Sequence, residues 1–201
     1  GHAYSRAGVA AFTTSTGYGI AKYDNPEELR VSDRNNIGYQ YTDCPLYWIS
    51  VIYLNFAEAK AEMGSLTQDD LNNSINKLQA RAGLPAMTTT PDADPANNMG
   101  VSNLIWEIRR CRRCELIMDN WYRYWDLIRW HQLDKLDSTK YPNTMLGANV
   151  SNVPDCEEAT KNGYIDASDA QIRTYEAKHY FYPIPTTQLT LNKNMKQNPG
   201  W

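Results

Sequence analysis

The sequence predicts a mainly α-helical fold: an irregular helical domain with long loops. Three observations carry this. Apolar residues between positions 46 and 136 recur at steps of three and four, which places them on one face of a helix. Capping and stop residues stand at the ends of those runs. The stretches between them are rich in Pro, Asn, Asp and Gly, which make turns and leave little room for strands.

Residues 1–45 show little periodicity. Thr13 to Gly19 is loop chemistry, Asp24-Asn25-Pro26 starts a turn, and the segment is expected to be an extended arm leading into a domain over 46–201. Pro45 suits a first helical turn. From there Ile49, Ile52, Tyr53, Phe56, Ala59 and Met63 predict the inward face of a helix over 46–63, with Gly64 as its left-handed stop. Thr67 and Asp70 form a capping box for a second helix over 67–82, carried by Leu71, Ile75, Leu78 and Ala82 and ended by Gly83 and Pro85. The short connection makes the two an antiparallel hairpin. Ser102 caps a third helix over 103–119, with Leu104, Ile108, Cys111 and Met118 in one stripe and Ile105 and Leu116 beside it. Asn120-Trp121 interrupts it. A fourth helix over 123–136 turns Trp125, Ile128 and Leu133 inward, with Asp126 and Arg129 spaced to pair. The apolar faces of the first three helices should meet in one core.

Ser138 to Lys178 is expected to be mostly irregular, with a short helix at Asp169 to Ala177. The alternating prolines of Tyr180 to Pro185 favour an extended edge. Thr187 to Leu191 suits one helical turn. The tail to Trp201 is expected to pack down through Ile184, Leu189, Leu191 and Trp201.

The chain has 201 residues and a net charge of −3, enough for one domain or a domain with an arm. No Lys/Arg block marks a nucleic-acid surface, and no apolar run approaches the ~20 residues that span a bilayer. Trp and Tyr make up 20 of the 23 aromatic residues. Such rings favour half-buried places and stack on sugars, but they also serve ordinary boundary packing.

No motif marks catalysis. Cys111 and Cys114 sit mid-helix, away from the helix N-terminus that activates a redox pair, and zinc would need a second ligand pair. If they form a disulfide, it is with Cys44 or Cys156. His2, His131 and His179 lack close partners, and no Gly-x-Ser-x-Gly is present. Asp92 and Asp94 read as turn chemistry. Glu58 and Glu62 share a helix face and are expected to pair with Arg or Lys or to face water. The arginines at 109, 110, 112 and 113 read as an internal salt-bridge hub. No metal and no cofactor are expected.

Three ordered blocks give the chain a resemblance. The first is Tyr-Leu-Asn-Phe-Ala-Glu-Ala-Lys-Ala-Glu-Met-Gly, Tyr53 to Gly64, followed by Ile75 to Pro85. The second is Arg-Arg-Cys-Glu-Leu, Arg112 to Leu116, with Arg-Tyr-Trp-Asp-Leu-Ile-Arg-Trp, Arg123 to Trp130. The third is Tyr182 to Pro185 with Gln197 to Trp201. Together they resemble the C-terminal part of the SusD/RagB family, and the helix pair at Tyr53 to Pro85 resembles one tetratricopeptide unit. The chain departs from that family at Trp48 and Val51, at Cys111 and at Asn120-Trp121-Tyr122, which suggests that part of a family ion-pair network is replaced by apolar packing.

The resemblance implies a non-enzymatic, surface-exposed outer-membrane lipoprotein. It would capture oligosaccharide or another nutrient and partner a SusC-like TonB-dependent transporter, with no nucleic acid. Its membrane attachment would be through a lipid anchor upstream of this chain. Candidate binding loops are Ala3 to Tyr23, Met87 to Gly100 and Ser138 to Lys178. The rings they offer are Tyr18, Tyr23, Tyr141 and Tyr164. Two alternatives stay open: a helical protein-interaction scaffold, and a carbohydrate-active enzyme needing two carboxylates in one cleft.

Overall fold

The computed structural model describes residues 16–18, 22, 46–119, 121–153, 160–168 and 171–201. Tyr23, Cys44, Pro45 and Cys156 lie outside them. The chain forms two compact units, one spanning residues 45–130 and the other comprising 1–44 and 131–201. The fold is mainly helical.

Among the described residues the first unit holds five helices: α1 Ile49–Glu62, α2 Gln68–Asn72, α3 Ile75–Arg81, α4 Asn103–Glu115 and α5 Tyr122–Arg129. Local chemistry sets their ends as expected. Thr67 accepts from the Asp70 amide while Asp70 accepts from the Thr67 amide, and Ser102 accepts from the Ile105 amide. The core joins α1, α2, α3 and α4 through Leu54, Ala57, Leu71, Ile75, Leu78 and Ile108, with Met87 and Leu116 closing it. Burying each large aliphatic side chain contributes about 1.5–3 kcal/mol.

Three details differ from the sequence expectation. The buried side of α1 is Ser50, Leu54, Ala57 and Glu58, while Ile49, Ile52, Phe56 and Met63 are exposed. Apolar residues surround this helix, so periodicity alone does not choose the inner face. The second helix is two helices. Ser74 donates its hydroxyl to the Asp70 carbonyl at 2.6 Å and Asn73 donates to the Asp69 carbonyl, local bonds that compete with the helix ladder. Helix α4 stops at Glu115, and the link to α5 takes left-handed conformations at Met118 (φ 62°) and Trp121 (φ 59°). Trp125 and Met118 are exposed; Asp126 and Leu127 take the inner positions of α5.

Asp126 is buried because it belongs to a charged cluster in this unit. Arg112 Nε donates to Asp126 Oδ2 at 2.7 Å, with side chains 5% and 6% exposed. Arg129 Nε donates to Asp126 Oδ1 at 2.9 Å, and its Nη2 donates to Glu58 Oε2 at 2.5 Å. Arg109 donates to Glu58 and Glu62, Arg112 also to Asn55, and Trp130 Nε1 to Glu58 at 2.6 Å. The guanidinium groups of Arg109 and Arg129 lie 4.5 and 4.7 Å from the centre of the Trp130 ring. Burial drags Arg123, the third arginine near that ring, down to about 10. An ion-pair network therefore links α1, α4 and α5 here, built from residues other than the departures at Trp48, Val51 and Cys111.

Cys111 and Cys114 are free thiols, so neither is bridged to Cys44 or Cys156. Burial, with Glu115 nearby, pushes the Cys111 thiol up to about 12.

In the second unit His131 has φ 53°, and Leu133–Leu136 is a 3-10 turn rather than a continued α-helix. A 3-10 turn at Pro142–Met145 leads into β1, Leu146–Asn149. Strands β2, Thr160–Lys161, and β3, Tyr164–Asp166, complete an antiparallel sheet in the order β1-β3-β2. The β2–β3 link is Asn162-Gly163, both at positive φ (54° and 79°), the two-residue hairpin whose twist matches its strands. Residues 171–176 are not helical, and a 3-10 turn follows at Ala177–Tyr180.

Helix α6 is Thr186–Leu191. The tail is tied to the preceding segment by polar bonds. Gln197 bonds the Ile184 amide and carbonyl, Asn198 donates to the Tyr182 carbonyl, and the Trp201 indole donates to the Phe181 carbonyl at 2.9 Å. Ile184 and Leu189 are half-buried, but Leu191 and Trp201 stay exposed.

Candidate functional site

Of the four tyrosines singled out from sequence, three lie among the described residues, all in the second unit. Tyr18 is exposed on the segment 16–18, which runs beside β1: Ala148 donates its amide to the Thr16 carbonyl at 2.8 Å. That approach needs glycine on β1, because a Cβ at Gly147 would stand 2.4 Å from the Thr16 carbonyl oxygen. Tyr164 is exposed on β3, opposite Asn149 of β1. Its neighbour Ile165 is buried, so alternation turns Tyr164 to the other face. The same sheet therefore carries or borders both rings.

Tyr141 is differently placed. Lys135 Nζ donates to its hydroxyl at 2.6 Å and lies 4.5 Å from its ring centre. A lysine six residues earlier already covers this ring. Tyr23 lies outside the described residues.

Tyr18, Tyr141 and Tyr164 do not border a pocket found in this unit among the described residues. That pocket, about 200 Å³, opens where β1 begins and β3 ends, and is bordered by Ser138, Thr139, Lys161, Asp166, Ser168 and Gln171 among others. Its walls are set by turn chemistry. Asp166 accepts from the Ser168 amide and hydroxyl at 3.0 and 2.6 Å, and Ser138 Oγ accepts from the Arg173 amide at 3.0 Å. Asp137, behind the pocket, accepts from the Thr139 hydroxyl at 2.5 Å and from the Tyr175 amide at 3.1 Å; these bonds lower its pKa to about 2. The pocket presents hydroxyls, one ammonium, one carboxamide and one carboxylate. That set can bind a polyhydroxylated ligand; among the described residues it offers one carboxylate, Asp166, and no acid–base pair.

The first unit has a larger cleft of about 360 Å³ between α3, residues 84–92 and α4. Asp92 and Glu107 both border it, yet Glu107 is bonded through both oxygens to Arg110, which raises the Arg110 pKa. Asp94, in the adjoining loop, accepts from the Trp106 indole and the Ala96 amide, which lower its pKa and confirm turn chemistry there. Among the described residues no group of three or more His, Cys, Asp or Glu could hold a metal ion.

The SusD family model matches residues 2–201. The chain belongs to the SusD family. A solved relative, a SusD-like protein from Bacteroides fragilis, is 25% identical, with a TM-score of 0.52. The match covers 76% of this chain and 25% of that one, so this SusD-family chain spans about a quarter of its solved relative. A sequence search of curated proteins found no match.

The sequence reading did not single out Gln79. It is buried on α3 but opens into the larger cleft. Its position in the run ending at Ala82 marks it only as a flank of the Leu78 stripe.

Proposed function

We propose that the protein captures glycans or related nutrients at the outer surface of the outer membrane, as partner of a SusC-like TonB-dependent transporter, and performs no chemistry on them. Membership of the SusD family over residues 2–201 is the observation that carries this. Exposed Tyr164 on the sheet, exposed Tyr18 on the segment beside β1, and the hydroxyl- and amide-lined pocket at the sheet's end supply groups suited to sugars. Tyr141 and Tyr23 belong to the same loops, Tyr141 with its ring engaged by Lys135. No helix among the described residues is long and apolar enough to cross a membrane, and a lipid anchor upstream would attach the protein.

The test is calorimetric titration of the full-length protein with candidate oligosaccharides, alongside an assay for released reducing ends. Saturable binding without release is expected; release of reducing ends would overturn the non-enzymatic reading. A second reading, a protein-docking scaffold, is favoured by exposed Ile49, Ile52, Phe56 and Met63 on α1. It predicts capture of a protein partner with no response to sugar.

A further inference from the structure

We propose that the cleft between α3, residues 84–92 and α4 binds the acetamido group of N-acetylated sugars. This deepens the glycan-capture reading and rests on it. The decisive group is Gln79, only 8% exposed, which lines the cleft. Its neighbour Asn76 is fully used: it bonds the Met87 amide and carbonyl at 2.7 and 3.1 Å and fixes the start of the loop. The Gln79 carboxamide has no such engagement among the described residues. A carboxamide with no protein partner keeps both its donors and its acceptor for a ligand.

The cleft wall selects the ligand. A carboxamide offers donors and an acceptor side by side, and its closest complement is another amide. Pro85 and Pro91 have no N–H to compete, and with Leu84 and Met87 they give apolar surface for a methyl group. Of the charges at the rim, Arg110 and Glu107 satisfy each other. Thr88, Thr90 and Asp92 remain for ring hydroxyls. An acetamido sugar matches this set: amide against Gln79, methyl against proline and methionine, hydroxyls toward the rim. Among the described residues no aromatic ring borders the cleft, so affinity comes without stacking and is expected to be weak.

The test uses the 15N-labelled 201-residue chain and three probes: the methyl glycosides of N-acetylglucosamine, glucosamine and glucose. At tens of millimolar sugar, the Gln79 side-chain NH2 signals and the amides of residues 86–90 should shift with the acetylated probe alone. Gln79→Ala should weaken that response about five-fold, the loss of one or two neutral hydrogen bonds. Gln79→Glu, which keeps the shape but loses the donors, should weaken it as well. Equal shifts with glucose, or no Gln79 response, would overturn the site. If sugar then shifts only amides around 138–172, the site falls while glycan capture stands. Failure of the full-length protein to bind any glycan would instead remove the reading beneath it.

Discussion

Glu58 is the strongest test of what holds the helical unit together. It lies on α1, and its carboxylate collects Arg109 from α4, Arg129 from α5 and the Trp130 indole, at 3.3, 2.5 and 2.6 Å. Glu58→Ala removes all three bonds at once. Arg109, 9% exposed, would keep only Glu62, whose side chain is half in solvent and a weak substitute. The indole N–H would lose its partner altogether. Removing one member of a buried ion pair costs about 3–5 kcal/mol, mostly because the charges left behind are stranded. In a chain of this size each kcal/mol moves the melting temperature by about 2–4 °C, so a fall of roughly 6–20 °C is expected. Thermal circular dichroism and urea unfolding followed by tryptophan fluorescence would read it. The matched control is Arg81→Ala, which breaks a two-pronged pair with Glu115 where the arginine is mostly in water. That loss should stay within about 1 kcal/mol. If Glu58→Ala costs no more than the control, the buried cluster does not hold the helices and the reasoning fails.

Three further outcomes follow from local geometry. Lys60 and Thr67 hold Asp70 down to about 2. A folded pKa below the unfolded one stabilises above the ordinary carboxylate range of ~4, and that stabilisation is lost as pH falls through about 2. A carboxyl NMR titration should find this low midpoint, rising in Lys60→Met; an ordinary midpoint in the native protein would refute the pairing. Gly147→Ala should push residues 16–18 off β1, speed hydrogen exchange at Ala148 and cost about 1–3 kcal/mol, since its methyl would meet the Thr16 backbone. Unchanged exchange would count against the contact. Iodoacetamide should modify exposed Cys114 well before Cys111, whose thiol is pushed up to about 12; equal rates would contradict the burial.

What could be read from sequence is what lies within four residues along the chain. The Thr67–Asp70 box, the Ser102 cap and the Asp126–Arg129 pair were all legible, because donor and acceptor are local. The inner face of α1 was not. A window centred on it sees apolar residues on every side, and the choice is made by Glu58 meeting Arg109 and Arg129, 51 and 71 positions away. A charged residue points inward and Ile52 outward, the reverse of what hydrophobicity alone suggests. The small sheet escaped for a different reason. Asn162-Gly163 is a strong turn signal, but strands of two to four residues are too short to show alternation.

The same limit governs the candidate sites. Composition picks out tyrosines as sugar platforms, but a platform needs an open face, and the face depends on neighbours. Tyr141 has the right chemistry and a lysine over its ring; Tyr164 has the same chemistry and an open position on β3. Gln79 shows the converse. As a letter in a helical run it is unremarked, and it gains meaning only because Asn76, three residues earlier, takes the loop's polar groups and leaves Gln79 facing an unfilled cleft. On the proposal above, ligand binding falls to polar groups the fold leaves unused, whereas the motifs that reveal the family are largely occupied with holding the fold. Arg112, Asp126 and Arg129, inside the most recognisable blocks, have their hydrogen bonds committed within the helical unit. Family membership can thus be legible in full while the ligand stays hidden, because the two are written in different residues.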